Sequence, residues 1–262
     1  MEGRKGATIL SSHIDALTWA GAVGAIERWT LDRQSRYVCI CNVHSVVTAA
    51  QDPGFRDIVN GADMATPDGM PVAWALRWLG FTDQQRINGP DLTLKLCARM
   101  SEVAVPVYFF GSSEHTLSLL GQKLHAMFPG LRVAGMVSPP FRALTPAEDK
   151  AAVAAINRSG AGIVFVSLGC PKQEQWMAEH RGRVHAVMIG VGAAFDYHAG
   201  TLKRAPTWMQ DGGLEWFYRF VMEPRRLWKR YLVTNALFVA LLAKQLLFRS
   251  KGGRGPPSLT RR

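Results

Sequence analysis

The chain has 262 residues, 48% of them apolar and 19% charged, and a net charge of +11. Such an apolar fraction excludes an intrinsically disordered chain, and the length suits one large domain or a domain with a smaller appendage. The charge is concentrated: residues 201–262 carry 13 Lys and Arg against 3 Asp and Glu, whereas residues 1–200 carry 18 against 17.

The first ten residues hold charge but no apolar core of signal-peptide length, so the protein is expected in the cytosol. Cys39, Cys41, Cys97 and Cys170 show no CxxC spacing and are expected as reduced, mostly buried thiols. The seven histidines form no HxxxH or HExxH pattern, and no Asp-x-Asp pair is present to hold a divalent metal. The expectation is chemistry that needs neither a metal nor a cofactor.

From the start, β-branched and apolar runs alternate with helical patterns, the order of an α/β protein with a mostly parallel, Rossmann-like sheet and flanking helices. Residues 7–10 read as a strand and 17–29 as a helix. Residues 37–43 form a continuous apolar strand broken by Asn42, which places that amide at the carboxyl edge of the sheet, where open α/β sheets bind ligands. Pro67 and Pro71 stiffen the turn around Asp68-Gly69. Asp68 there is either a helix-entry cap or a carboxylate aimed into the cleft to accept a proton.

Arg86-Ile-Asn-Gly-Pro-Asp91 opens a helix to about Met100, with Asp91 as a first-turn acid or a ligand contact. Residues 105–110 are a strand, and the Gly-Ser-Ser turn after it offers amides and hydroxyls to a phosphate or is a plain turn. A strand at 131–137 precedes Thr145-Pro-Ala-Glu148, a capping box that starts a helix to about Asn157. A buried strand from Gly162 breaks at Gly169 and turns through Pro171 into a helix opening with Lys172 and Gln173. Lys172 at a helix N-terminus opposes the macrodipole and suggests an anion, with a solvated lysine as the alternative. The strand at 186–191 leads to Asp196, a ligand contact or a turn cap; Phe195 stands where a dinucleotide fingerprint needs its third glycine.

In the basic segment, Trp208 to Met222 reads as one helix, and Pro224 starts the next because a proline disfavours helical backbone in the residue before it. Arg225, Arg226, Lys229 and Arg230 then crowd the positive end of that helix, an arrangement that calls for an anionic partner. Residues 231–248 follow with an apolar core too short for a span, and read as an interfacial helix on an anionic membrane surface, a helix packed on protein, or a true span. The domain reading is therefore a catalytic body over 1–200, a basic helical appendage over 201–248, and a disordered basic tail over 249–262. Two other classes stay open: a nucleotide-dependent oxidoreductase and a basic nucleic-acid-binding module.

Several blocks in order resemble the WecG/TagA/CpsF glycosyltransferases (glycosyltransferase family 26). They are Pro67-Asp68-Gly69, Arg86-x-x-Gly89-x-Asp91-Leu92, Gly169-x-Pro171-Lys172-Gln173-Glu174-x-Trp176, Gly190-x-Gly192-x-x-Phe195-Asp196, Arg204-Ala205-Pro206, Gly213-Leu214-Glu215-Trp216-x-x-Arg219, and Glu223-Pro224-x-Arg226. The resemblance implies transfer of N-acetylmannosamine, its uronic acid or a related hexose from a UDP-sugar donor to an undecaprenyl-diphosphate-linked saccharide, with inversion at the anomeric carbon. It implies Asp68 as general base; Asn42 and Gln173 are then expected to position sugar or acceptor hydroxyls. Arg219, Arg226 and the neighbouring basic residues fall to the diphosphate. Arg86, Asp91, Gly169, Lys172, Asp196 and Arg204 join as substrate-binding candidates. The implied setting is the inner face of the plasma membrane, without nucleic acid, and with homo-oligomerisation left open. One departure is Ile40, where the family often has Thr.

Overall fold

The computed structural model describes residues 4–251, with the side chains of 226, 229–232 and 249–251 outside the description. Strands β3 (Arg36–Cys41), β4 (Met64–Pro67), β5 (Val107–Gly111), β6 (Val133–Val137), β7 (Ile163–Ser167) and β8 (Val187–Gly190) form a parallel sheet in the order β4-β3-β8-β7-β5-β6. The crossover helices include α1 (Trp19–Leu31), α2 (Val43–Gln51), α3 (Pro53–Gly61), α4 (Met70–Trp78), α5 (Gly89–Glu102) and α6 (Glu114–Met127). Further along come α7 (Pro146–Arg158), α8 (Lys172–His180) and α9 (Ala194–Ala199). This is the Rossmann-like α/β architecture that the alternating pattern predicts, and α7 carries the expected capping box.

The strands read as unbroken apolar runs because both faces are covered. In β5, Tyr108 and Phe110 enter one core and Val107 and Phe109 the other; β7 splits Val164 and Val166 from Ile163 and Phe165 in the same way. Aromatic rings tie these layers to the helices, Phe110 stacking on Trp176 at 4.7 Å and Phe109 meeting Phe195 edge-on at 5.3 Å. Cys39, Cys41 and Cys97 are buried thiols, and Cys170 is a half-buried thiol, none of them in a disulfide.

Two local departures have clear causes. The strand expected at residues 7–10 is one arm of a hairpin, β1 (Gly6–Ile9) with β2 (Ser12–Asp15), whose turn places Leu10 at φ 56 with no glycine to signal it. The hairpin is held by the buried Asp15, which takes Arg4 Nε at 2.8 Å and Nη2 at 2.6 Å and accepts the Ala65 backbone N–H, protecting the edge strand β4. The single helix expected over 208–222 is instead α10 (Thr207–Asp211) and α11 (Glu215–Met222). Gly213 breaks it at φ 74, lying so close to α4 that a Cβ there would come within 3.0 Å of Met70 and Trp74.

The last helix, α12 (Pro224–Lys251), begins at the proline as expected and runs into the stretch read as a disordered tail; residues 252–262 lie outside the described residues. Leu227, Thr234, Phe238 and Leu242 recur at helical spacing and are buried, the last two joining the core cluster that contains Val46 and Val47 of α2. Gln245 completes the docking: its amide accepts the Leu10 N–H at 2.8 Å and donates to the Thr8 carbonyl at 2.7 Å. Val233, Val239, Leu247 and Phe248 of the same helix remain exposed. No helix among the described residues is long and apolar enough to cross a membrane.

This docking predicts a contrast between adjacent residues. Phe238→Ala destabilises by about 3 kcal/mol in urea unfolding, as deletion of a buried ring does, while Val239→Ser stays within about 0.5 kcal/mol. Equal effects would mean that α12 does not pack on the body.

Candidate active site

The carboxyl ends of β3, β4, β7 and β8 lie side by side, and the turns that leave them carry most of the candidate residues. Asp68 is the first residue past β4, its backbone N–H continuing the ladder to the Cys41 carbonyl at 2.9 Å. The N-cap of α4 is Gly69, at φ 81, and no side chain caps that helix. The capping reading of Asp68 therefore fails, and its carboxyl is left for the cleft.

Asn42 caps α2 by accepting the Ser45 N–H at 3.2 Å, and its side chain also hydrogen-bonds Asp68. Burial, followed by the negative charge of Glu215, pushes the Asp68 carboxyl up to about 7, while Arg86, Arg204 and the Asn42 bond oppose the rise. A carboxyl balanced near neutrality matches the needs of a general base.

Arg86 reaches this point because its loop is sewn to β4: Ile87 N–H donates to the Pro67 carbonyl at 2.8 Å, and Thr66 Oγ1 to the Ile87 carbonyl at 3.0 Å. Its guanidinium meets Glu215 Oε2 at 2.7 Å and Gln210 Oε1 at 2.9 Å. Asp91 sits in the first turn of α5 behind the cap Asn88 and takes Arg204 on both oxygens, at 2.5 and 3.1 Å. Burial would raise the Asp91 carboxyl, but Arg204 and Asn88 outweigh it and hold it below the usual carboxylate range. Arg204 Nε is buried without a hydrogen bond, 3.9 Å from Glu215 Oε1. A cleft of about 300 Å³ opens beside this network, lined by Met70, Arg86, Asn88 and Asp91 among others.

On the β7 and β8 side, Gly169 turns at φ 78 and Lys172 is exposed at the start of α8. Gln173 is buried; its Oε1 accepts the Gly192 N–H at 3.1 Å and its Nε2 donates to Glu174 Oε1 at 2.8 Å. The amide thus fixes the turn after β8. Asp196 lies within α9 and accepts Ser112 Oγ at 3.4 Å and Thr116 Oγ1 at 3.3 Å, tying α9 to the turn after β5. Arg219 of α11 holds its guanidinium 5.9 Å from the Tyr197 ring centroid, with Nε buried and without a hydrogen bond. Arg225 is exposed on α12, whereas the side chains of Arg226, Lys229 and Arg230 lie outside the description.

The structure therefore links Asn42, Asp68, Arg86, Asp91 and Arg204 in one network, of which Arg86 and Asp91 line the cleft, and gives Gln173 and Asp196 internal partners. Sequence reasoning missed Glu215, Gln210 and Asn88, which complete the network. The Gly212-Gly213 pair was the available signal for Glu215, since a break there ends α10 and starts α11 at Glu215.

Comparison with known proteins places nearly the whole chain in a family. Residues 7–252 match the family described as Glycosyl transferase WecG/TagA/CpsF. The N-acetylglucosaminyldiphosphoundecaprenol N-acetyl-beta-D-mannosaminyltransferase of Bacillus spizizenii is 30% identical over 222 residues, a span that covers 84% of each chain. The chain belongs to the WecG/TagA/CpsF family and is a glycosyltransferase.

Proposed function

We propose that the protein moves an N-acetylmannosamine-type sugar from a UDP donor to a saccharide carried on a polyprenyl diphosphate, with inversion at the anomeric carbon. The sugar and acceptor classes follow the printed activity of the Bacillus spizizenii relative. The observation that carries the mechanism is the Asp68 carboxyl at the sheet edge, bonded by Asn42, raised to about 7 and flanked by Arg86 and Arg204.

In this reading the acceptor hydroxyl oxygen attacks the anomeric carbon as Asp68 removes its proton. The bond from that carbon to the diphosphate oxygen breaks, and its electron pair leaves with UDP. Guanidinium groups lower the barrier by meeting the charge that develops on the leaving diphosphate. Arg86, which lines the cleft, Arg204 and Arg219 are the candidates for that role; Arg225, Arg226, Lys229 and Arg230 are assigned to the lipid-linked diphosphate and to anionic headgroups. Lys172 and Gly169, in the turn from β7 into α8, are kept as further candidates for the substrate. The exposed Trp216, Phe217, Val221 and Met222 of α11, with Val239, Leu247 and Phe248 of α12, favour peripheral attachment at the cytoplasmic face of the membrane.

Asp68→Asn is expected to lower kcat by about 10³-fold, within the range for loss of a general base, while UDP affinity by calorimetry changes only a few-fold. Product mass from a panel of UDP-sugars with a short polyprenyl-diphosphate-linked acceptor measures the turnover; near-native transfer by the variant removes Asp68 from its role. Because the base works deprotonated, kcat/KM of the wild type rises with pH and levels off above about 7. The raised carboxyl also makes a stability prediction. Between about pH 4 and 7 the folded state holds a proton that the unfolded state has released, so this group lowers stability as pH rises through that window. Asp68→Asn should therefore stabilise the fold by about 1–3 kcal/mol at pH 8 and by almost nothing at pH 4, read from urea midpoints. For the membrane, the full chain should sediment with vesicles containing anionic lipid, less so at high salt, and Val239→Asp with Phe248→Asp should reduce sedimentation without changing the urea midpoint.

A further inference from the structure

Arg86 and Arg204 stand beside the reacting carboxyl, and neither is free in the unliganded protein. Glu215 Oε2 lies 2.7 Å from Arg86 Nη1, and Glu215 Oε1 lies 3.9 Å from Arg204 Nε, a buried N–H with no hydrogen bond of its own. Both arginine side chains are largely enclosed, at 12% and 22% exposure, and the glutamate is enclosed to a similar degree at 26%. The carboxylate thus spans the gap between two guanidinium groups that come from opposite ends of the chain, one from the loop after α4 and one from the segment before α10.

Such a placement is poor for a purely structural ion pair. Asp91 already satisfies Arg204 on two nitrogens, and Gln210 already takes the second Arg86 nitrogen. Glu215 adds a further negative charge within range of Asp68, another carboxylate, which it destabilises. The arrangement makes sense if the Glu215 position belongs to an anion that is present only during the reaction.

We propose that Glu215 is an internal stand-in for the diphosphate, holding Arg86 and Arg204 in place until the substrate anion takes them over. The proposal rests on the reading of this cleft as the diphosphate site. Glu215 acts through the two arginines and is a positioning residue. It sits at the first residue of α11, directly after the Gly213 turn that rests on Met70 and Trp74, so its release frees the start of α11 while that turn stays seated. The groups that set the charge on Asp68 are then Arg86, Arg204, the incoming anion and the neutral Asn42.

The test is calorimetric binding of inorganic pyrophosphate and of UDP to the full chain, as wild type, Glu215→Gln and Gln210→Ala. Glu215→Gln removes the competing charge and keeps the shape, so both anions should bind about 3- to 30-fold more tightly, and the acid limb of the kcat/KM profile should move to lower pH. Gln210→Ala loosens Arg86 without changing charge and should give no gain. An unchanged or weaker affinity in Glu215→Gln, with an unaltered urea midpoint, overturns the proposal, as does an equal gain in Gln210→Ala. If the wild type and Glu215→Gln both fail to bind either anion, the diphosphate reading of the cleft falls as well; tight wild-type binding with no gain in the variant removes only the stand-in.

Discussion

A carboxyl that keeps its proton close to neutral pH needs a site where ionisation is disfavoured without being forbidden, and Asp68 occupies one. Burial at the end of β4 and the nearby Glu215 hold the charge back, while Arg86, Arg204 and Asn42 make it attainable. Each of these influences comes from a different part of the chain. The parallel sheet supplies Asp68 and Asn42 from adjacent strand ends, the loop sewn to β4 supplies Arg86, and the C-terminal segment brings Arg204 and Glu215.

The C-terminal segment is thus more than an attachment to the catalytic body. Arg204 is paired with Asp91 on α5, Glu215 with Arg86, the Gly213 turn sits on α4, and Phe238 and Leu242 of α12 enter the core beside α2. Beside this packed side, Val233, Val239, Leu247 and Phe248 of α12 remain exposed. The entry of Phe238 and Leu242 into the core corresponds to one of the readings that the sequence left open for residues 231–248, a helix packed on protein.

Much of the fold was legible because parallel strands buried on both faces are continuous apolar runs, and the turns after them carry Gly, Pro and Asn. Asn42, Asp68 and Asp91 could be placed at the sheet edge or a helix entry for that reason. What escaped was set by contacts distant in sequence. Local chemistry made Asp68 a fair cap, but its neighbour Gly69 takes that position. Gln173 looked like a substrate contact, and its amide oxygen also accepts the Gly192 N–H, a partner that no spacing rule reveals. The break at Gly212-Gly213 was passed over because the surrounding residues favour helix, and the packing on Met70 and Trp74 decides it. The hairpin turn at Leu10 was hidden for the related reason that a non-glycine residue adopts the left-handed backbone there.

The proposed chemistry turns on the protonation of one side chain. Carbon-13 NMR titration of carboxyl-labelled aspartates, with Asp68 assigned by its loss in Asp68→Asn, measures it directly. The predicted result is a midpoint near pH 7 for Asp68, well above an ordinary aspartate. A midpoint near 4 would contradict the account, because Asp68 would then be an unremarkable surface carboxylate with no special readiness to take the acceptor's proton.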